Sequence, residues 1–300
     1  MNNNVWKKML RAGLFALLLA ASAAATLMPD WATTLKAQSY GSVDLSLSVQ
    51  PSTPALSAGT DTDLLITLAN AGPDDAYRAR TSALIEGDAV ATATSGCNEF
   101  PLGFPDCTLS MPLPAGGSAD YLLTLSVPPL ARGSVTVAVA AASDDAEIAP
   151  GQELVLLDLP IEAHVDLSSS AACDRPYAAR GVPLVCHVIL RNTGPAAAAN
   201  WPYFVVFSNL DPLKLNCNAP REELCPEQLQ VPWAASVMMP GETIELSFQF
   251  VLDPSSSDEI ISIGAQAYSG AWDEIEDTYG DNATSLTVPV PLFQDGFDGN

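Results

Sequence analysis

The sequence is poor in basic side chains, above all beyond its first 36 residues. Its 300 residues contain 12 Lys and Arg against 35 Asp and Glu, which gives a formal net charge of −23. Four of the basic residues but only one acid, Asp30, lie within the first 36 positions. Nucleic acids and anionic membranes attract clusters of Lys and Arg. The composition therefore argues against nucleic acid as a partner.

Histidine and the common catalytic motifs are also scarce. The chain has two histidines, His164 and His187, and it contains no Gly-x-Ser-x-Gly, His-Glu-x-x-His, phosphate loop or Gly-x-Gly-x-x-Gly. We interpret both as surface residues, His164 in a connector between two units and His187 on the outward face of a strand. We expect no enzymatic activity and no catalytic residues. The alternative is an exported hydrolase, in which a pocket would bring a histidine and a nucleophile together.

Long apolar runs are confined to the N-terminus. The leader has basic residues Lys7, Lys8 and Arg11, an apolar stretch of 17 residues (12–28) and small residues at 23–25. This order is typical of a secretory signal peptide, and we assign residues 1–37 to a signal peptide and a short leader. The alternative is an uncleaved anchor, because 17 residues could just span a bilayer. We expect a mature chain without a membrane span that is secreted, periplasmic or at the cell surface, in a Gram-negative bacterium.

The remaining chain contains the same pattern twice. The segment DLSLSVQPSTPALSAGTDTDLLITLANAGPDDA (44–76) aligns without gaps over DLSSSAACDRPYAARGVPLVCHVILRNTGPAAA (166–198), 122 positions later. Further on the offset grows by about two residues, so that Gly117 falls on Gly241. A repeat at this period predicts a tandem duplication of a unit of about 120 residues.

Each unit is predicted to be all-β. Apolar residues alternate with polar ones in YLLTLSV (121–127) and IELSFQF (244–250), and turn-forming residues separate such runs. No segment beyond the leader shows a convincing helical period. We therefore predict two tandem immunoglobulin-like β-sandwiches at 42–162 and 163–290, followed by a C-terminal tail at 291–300.

Both units share a phrase that ends a strand: Asn70-Ala71-Gly72-Pro73 and Asn192-Thr193-Gly194-Pro195. Gly allows backbone angles that other residues avoid, Pro has no N–H for the ladder, and the Asn side chain can bond to open backbone groups. A structural role is favoured over a binding loop that is repeated for avidity.

These features together resemble a known family of repeats. They are Asp-Leu-Ser at 44–46, Gly59, the Asn-x-Gly-Pro turn, a Cys pair and a late strand after Gly117. They are similar to the conserved repeat domain of bacterial surface proteins known as domain of unknown function eleven, which is related to the cell-adhesion-related domain of bacteria. The resemblance covers 42–160 strongly and 164–290 more weakly. It implies an extracellular, non-catalytic, immunoglobulin-like building block.

Six cysteines in an exported chain predict three disulfide bonds. The repeat favours local bridges between Cys97 and Cys107 and between Cys217 and Cys225. Cys173 and Cys186 remain, and they share the inward side of neighbouring strands, where they can form a cross-strand pair. Metal ligation would need more nearby histidines.

Acidic and aromatic residues in the second unit are the candidates for binding. Ca²⁺ takes six to eight oxygen ligands, and one acidic loop could supply several of them. Its candidate ligands are Asp273, Glu274, Glu276, Asp277 and Asp281. The alternative is a solvated loop without a cofactor. Trp233 and Trp272 could form part of a glycan- or peptide-binding face, or they could pack in the core.

The sequence thus predicts an exported adhesion, spacer or protein-interaction module. An exported protein that binds calcium or glycan through the loops of the second unit is the alternative. Its partner, an unknown protein or glycan, is not specified. The tail PLFQDGFDGN (291–300) resembles short C-terminal tails of some exported gammaproteobacterial proteins, and it is either a sorting signal or a frayed end.

Overall fold

The computed structural model describes residues 41–99, 105–199, 201–228, 230–255, 257, 260–270 and 273–291. The predicted leader, most of the C-terminal tail and Trp272 lie outside these residues. From Gly41 onward, the described residues form one compact unit. No helix of the described residues is long and apolar enough to cross a membrane.

Two β-sandwiches follow one another along the chain, as the alternating pattern predicted. The strands of the first sandwich are β1 (Ser42–Val43), β2 (Leu45–Pro51), β3 (Leu56–Ser57), β4 (Asp61–Asn70), β5 (Arg80–Glu86), β6 (Val90–Ser95), β7 (Asn98–Glu99), β8 (Cys107–Thr108), β9 (Ser118–Ser126), β10 (Ser134–Ala142), β11 (Ala146–Glu147) and most of β12 (Leu154–Val165). One sheet has the order β2-β4-β9-β6, and the other has β12-β10-β5-β8-β7.

The second sandwich repeats this plan. Its strands are β13 (Leu167–Cys173), β14 (Leu184–Asn192), β15 (Tyr203–Ser208), β16 (Lys214–Asn218), β17 (Trp233–Ala234), β18 (Thr243–Phe250), β19 (Ile260–Tyr268), β20 (Glu274–Glu276) and β21 (Ala283–Pro289). Its sheets have the orders β13-β14-β18-β16 and β17-β15-β19-β21. The prediction of two tandem immunoglobulin-like sandwiches is confirmed. Short 3₁₀ turns at Glu222–Leu224 and Tyr279–Asp281 are the helical segments among the described residues.

The cores form because alternate side chains of each strand point inward. In β4 the residues Leu64, Ile66 and Leu68 are buried, and in β14 Cys186, Val188 and Leu190 take the matching places. Ala58, which belongs to the first repeat, packs with the core of the second sandwich. The two cores therefore meet at the junction.

Strand pairing corrects the later part of the sequence alignment. Leu68 pairs with Ala119, and its counterpart Leu190 pairs with Ile244. Ala119 therefore corresponds to Ile244, and the two repeats are offset by 125 positions in this strand. Gly116, not Gly117, therefore corresponds to Gly241. Both glycines have positive φ, and their N–H groups donate to the carbonyl oxygens of Asn70 and Asn192, each at 2.8 Å.

The junction lies inside a single strand. The first part of β12 pairs with β10 of the first sandwich, and its last residues, 163–165, pair in parallel with β20 of the second. The predicted boundary between 162 and 163 therefore falls within β12 rather than in a loop. The pair β1 with β11 is the matching contact in the first repeat.

Candidate functional site

The repeated Asn-x-Gly-Pro turn is built around a buried asparagine. The Asn192 side-chain oxygen accepts from the Gly194 N–H at 3.1 Å, and its amide donates to the carbonyl oxygens of Ala196 (2.9 Å) and Met238 (3.0 Å). Asn70 makes the corresponding bonds to Gly72, Asp74 and Leu113. A Cβ at Gly194 would lie 2.6 Å from the Asp166 nitrogen, which explains the glycine. The turn thus holds strand ends together in both sandwiches.

Two acidic residues of the candidate loop repeat contacts that are already present in the first sandwich. Glu276 accepts from the Leu167 N–H at 2.9 Å, just as Glu147 accepts from Leu45 at 3.0 Å. Glu274 accepts from the Ala199 N–H at 2.7 Å, and Asp145 accepts from Tyr77 at 2.6 Å. Glu274 and Glu276 therefore have a structural role: they hold the start of the second sandwich as Asp145 and Glu147 hold the start of the first.

Glu274 also joins the two sandwiches. Its side chain is fully buried, and Arg132 of the first repeat donates to it at 2.8 Å. The same guanidinium donates to the Ala197 carbonyl oxygen at 2.6 Å, while the Ala197 N–H donates to the Pro129 carbonyl oxygen at 2.9 Å. Because the buried Glu274 carboxylate would be destabilising without the Arg132 guanidinium, this network holds the two sandwiches in one arrangement at the junction.

His164 lies in the last part of β12 and faces carboxylates on both sides. Its Nδ1 is 2.7 Å from Asp277 and its Nε2 is 3.3 Å from Glu162. The hydrogen bond with Asp277 is the main reason why the pKa of His164 is raised above its usual value. The histidine therefore pairs with two acids at the junction.

A shallow cleft of about 360 Å³ brings His164 and Glu162 near several hydroxyl groups, including those of Ser57 and Thr60. The Thr60 hydroxyl donates to the Ser57 carbonyl oxygen. Both nitrogens of the His164 ring face acids rather than a hydroxyl group. A nucleophile activated by a base requires a hydrogen bond between the two. The cleft therefore lacks that pairing among the described residues.

The other candidate ligands are placed differently. Asp273 is exposed, and Asp281 lies in the 3₁₀ turn before β21. Burial is the main cause of a raised pKa for Glu276, and the charges of Asp166 and Asp281 add to it. In the described part of the chain, no three His, Cys, Asp or Glu side chains lie close enough together to hold a metal ion.

The aromatic residues divide between core and surface. The Trp233 ring packs on Phe204, with ring centroids 5.5 Å apart, and its Nε1 donates to the Leu224 carbonyl oxygen at 3.0 Å. It also borders a cleft of about 310 Å³. The exposed Trp201 and the stacked rings of Tyr203 and Tyr268, 5.3 Å apart, lie elsewhere. The sequence singled out Trp233 and overlooked this stacked pair, because Tyr203 and Tyr268 are 65 residues apart and meet only through the pairing of β15 with β19.

The outer face of β15, β19 and β21, called here the aromatic face, carries no charge. Its residues are Tyr203, Val205, Phe207, Ser262, Gly264, Gln266, Tyr268, Ala283, Ser285 and Thr287. The Phe207 ring lies over Gly264, where a Cβ would collide with it. An uncharged face with aromatic rings and hydroxyl groups is unusual in a chain of charge −23.

Three disulfide bonds join Cys97 to Cys107, Cys173 to Cys186 and Cys217 to Cys225. These are the pairs that the repeat favoured. Cys173 and Cys186 stand directly opposite each other in β13 and β14.

Comparisons with known proteins identify no family. No family model and no curated protein matches the chain. Among solved structures, the CARDB domain of a Pyrococcus furiosus protein is 16% identical, with 42% of this chain and 89% of that chain covered and a TM-score of 0.29. The Yersinia pseudotuberculosis adhesin InvE is 11% identical, with 83% and 60% covered and a TM-score of 0.29. Red sea bream transglutaminase is 15% identical, with 82% and 31% covered and a TM-score of 0.30. Scores this low assign neither a family nor an activity.

Proposed function

We propose that the chain is an exported, non-catalytic module of two joined immunoglobulin-like sandwiches that serves adhesion, spacing or protein interaction at the bacterial envelope or outside the cell. The observation that carries this proposal is the junction. A shared strand β12 and the buried pair of Arg132 with Glu274 hold the two sandwiches as one arm. An arm that keeps its two ends in a fixed relation suits a protein that presents a surface at a distance.

Disulfide bonds and charge support the proposed location. Disulfides persist in oxidising compartments, and the described residues contain no free cysteine. A strongly acidic surface also keeps the arm away from anionic lipids and nucleic acids. No catalytic pairing is needed for this role.

Cell fractionation with thiol trapping tests the proposal. We expect the full chain outside the cytoplasm, with none of its six cysteines open to alkylation before reduction. A variant that lacks residues 1–37 should stay in the cytoplasm with reactive thiols. Cytoplasmic full-length protein, or turnover in a panel of hydrolase substrates, would contradict the proposal.

The aromatic face favours a second candidate function, the binding of a neutral glycan. Sugar rings pack on aromatic side chains, and their hydroxyl groups bond to Ser, Thr and Gln side chains. The rings of Tyr203, Tyr268 and Phe207 lie among such residues without any charge. Trp233 is less suited, because its ring packs on the core.

Pull-down with insoluble neutral polysaccharides tests the glycan function. We expect saturable binding that falls at least about tenfold in a Tyr203→Ala, Tyr268→Ala variant, the loss of about 1.4 kcal/mol. Tyr77→Ala, which removes an exposed tyrosine from the first repeat, is the matched control and should bind like the wild type. Equal binding by both variants would remove the aromatic face from the function.

A further inference from the structure

Four buried oxygen atoms at the start of the second sandwich make no hydrogen bond of normal geometry. They are Asp166 Oδ1, Glu276 Oε2, Asp281 Oδ1 and Asn282 Oδ1. Glu276 is 8% exposed and Asn282 is 3% exposed, so water has little access to either residue. Buried acceptors without a partner are rare and destabilising. Several such acceptors in one region make that region a candidate for a cation site.

The four residues are brought together by the fold. Glu276 Oε1 accepts from the N–H of Leu167, the residue that follows Asp166. The Ser169 hydroxyl donates to the Asp281 carbonyl oxygen at 3.4 Å, which places the 3₁₀ turn beside β13. Burial is the main reason why the pKa of Glu276 is raised, the charges of Asp166 and Asp281 add to it, and hydrogen bonds from the Leu167 N–H and the Asn282 side chain oppose it. These residues therefore form one electrostatic cluster.

The orientation of Asp166 leaves one oxygen for a ligand. The Thr193 hydroxyl donates to Asp166 Oδ2 at 2.5 Å, so that oxygen is already used. The Leu167 N–H uses Glu276 Oε1 in the same way. Each of these two carboxylates thus keeps a structural bond with one oxygen and offers the other.

We propose that Asp166, Glu276, Asp281 and Asn282 bind a Ca²⁺ ion, a site that goes beyond the proposed function. The donors are all hard oxygens, three from carboxylates and one from an amide, which Ca²⁺ prefers. The side chains are not gathered around a common point as they stand, so the ion must draw them together. Ca²⁺ tolerates irregular geometry, whereas Mg²⁺ requires a near-ideal octahedron. A site that closes on its ion is expected to bind weakly, in the range of extracellular calcium modules.

This ligand set differs from the one that the sequence suggested. Glu274 is occupied by Arg132, and Asp277 is occupied by His164. Glu276 and Asp281 remain from the acidic loop. Asp166 and Asn282 replace the others, because the loop folds against the turn between β12 and β13.

The first sandwich lacks the full set, which makes it an internal comparison. Asp44, the counterpart of Asp166, also has a buried oxygen without a partner. Both oxygens of Glu147, however, accept from backbone N–H groups, those of Leu45 and Ala149. Gln152 takes the place of Asp281. Its carbonyl oxygen accepts from the N–H of Leu47, and Leu47 is the counterpart of Ser169, whose hydroxyl donates to the Asp281 carbonyl oxygen. We infer one site in the second repeat and none of this kind in the first.

Calorimetric titration and thermal unfolding of the metal-stripped full-length protein test the site. With CaCl₂ we expect one binding event with Kd of about 0.1–1 mM, and a Tm that rises by about 3 °C at 10 mM. Asp281→Asn and, separately, Asp166→Asn should weaken binding at least about tenfold and abolish the shift. Asp277→Asn removes the same charge from the same loop and should keep the wild-type Kd.

Three outcomes would overturn the proposal. One is the absence of heat and of a Tm shift in the wild type. The second is unchanged binding in the two ligand variants, each checked for native fold by near-UV circular dichroism. The third is an equal response to MgCl₂, which would contradict the calcium assignment. In the first case, a Tm that is higher at pH 5 than at pH 7.5 would show that a proton on Glu276 satisfies the cluster instead of Ca²⁺.

Discussion

Gly59 of the first repeat lies directly against the main-chain carbonyl of Pro195 in the second. A Cβ atom built on Gly59 would stand 1.9 Å from that oxygen. Gly181 occupies the same position in the second repeat, also with positive φ, but its nearest neighbour is Pro254 Cγ at 3.8 Å. The two glycines share one backbone conformation, and only one of them serves the junction.

The pair of variants Gly59→Ala and Gly181→Ala separates these two roles. Both should lose about 1 kcal/mol of unfolding free energy, because alanine is strained at positive φ. Gly59→Ala should lose roughly 2 kcal/mol more, since its methyl group collides with backbone that cannot rotate away. Urea unfolding measures both values. Equal losses would show that the Pro195 contact does not constrain the junction.

Arg132→Ala should destabilise the joined pair by about 3 kcal/mol, because it leaves the buried Glu274 carboxylate without its cation. Hydrogen exchange should become faster at 129–132 and 196–199 before it does so in either core. Arg78→Ala is the control. Its ion pair with Asp144 involves a side chain that is 70% exposed, and its loss should cost less than about 1 kcal/mol.

Asn192→Ala should cost roughly 3 kcal/mol, since it strips buried backbone groups of Gly194, Ala196 and Met238 of their partner. Asn209 also bonds to the backbone, with Ile260 and Ser262, but it is exposed. Water can replace its bonds, so Asn209→Ala should cost less than about 1 kcal/mol. Similar losses in urea unfolding would contradict the role of burial.

Stability should fall as the pH rises above about 6.5, the ordinary pKa of histidine. Asp277 and Glu162 raise the pKa of His164 in the folded protein, so the protonated form stabilises the fold. That contribution is complete below the unfolded pKa and is lost as the pH passes through the raised folded pKa. We expect a decline in unfolding free energy between pH 6 and 8 that is absent in His164→Gln. A profile that does not differ between the two proteins would show that the pairing is too solvated to matter.

Local rules of sequence were enough for the fold of each repeat. The alternation in β4 and β14 predicted which side chains point inward. The Asn-x-Gly-Pro motif marked the strand end, because Asn bonds to the backbone of the turn, Gly leaves room for a close contact and Pro has no N–H for the ladder. The cysteine pairs followed from the duplication. The alignment around Gly116 and Gly241 was wrong by one residue, because the loops before them differ in length and only strand pairing fixes the register.

Contacts between distant segments were beyond these rules. Glu274 looked like one more acid in a charged loop, yet it pairs with Arg132, 142 residues earlier. Asp166 and Asn282 did not enter the predicted ligand set for the same reason. One signal was available: Asp166 matches Asp44, a repetition of a charged residue that neither sandwich needs for its core.

Ala196 and Ala197 lie buried at the junction, and their small size bears on whether a further sandwich could be added to these two. In the first repeat the same two places hold Asp74 and Asp75, whose carboxylates accept from the N–H groups of Ser42 and Ala115. Another copy that docked on this face by the contacts that join the existing two would have to strip water from both acids. We therefore expect Asp74 and Asp75 to disfavour the addition of a further unit on this face by the same contacts.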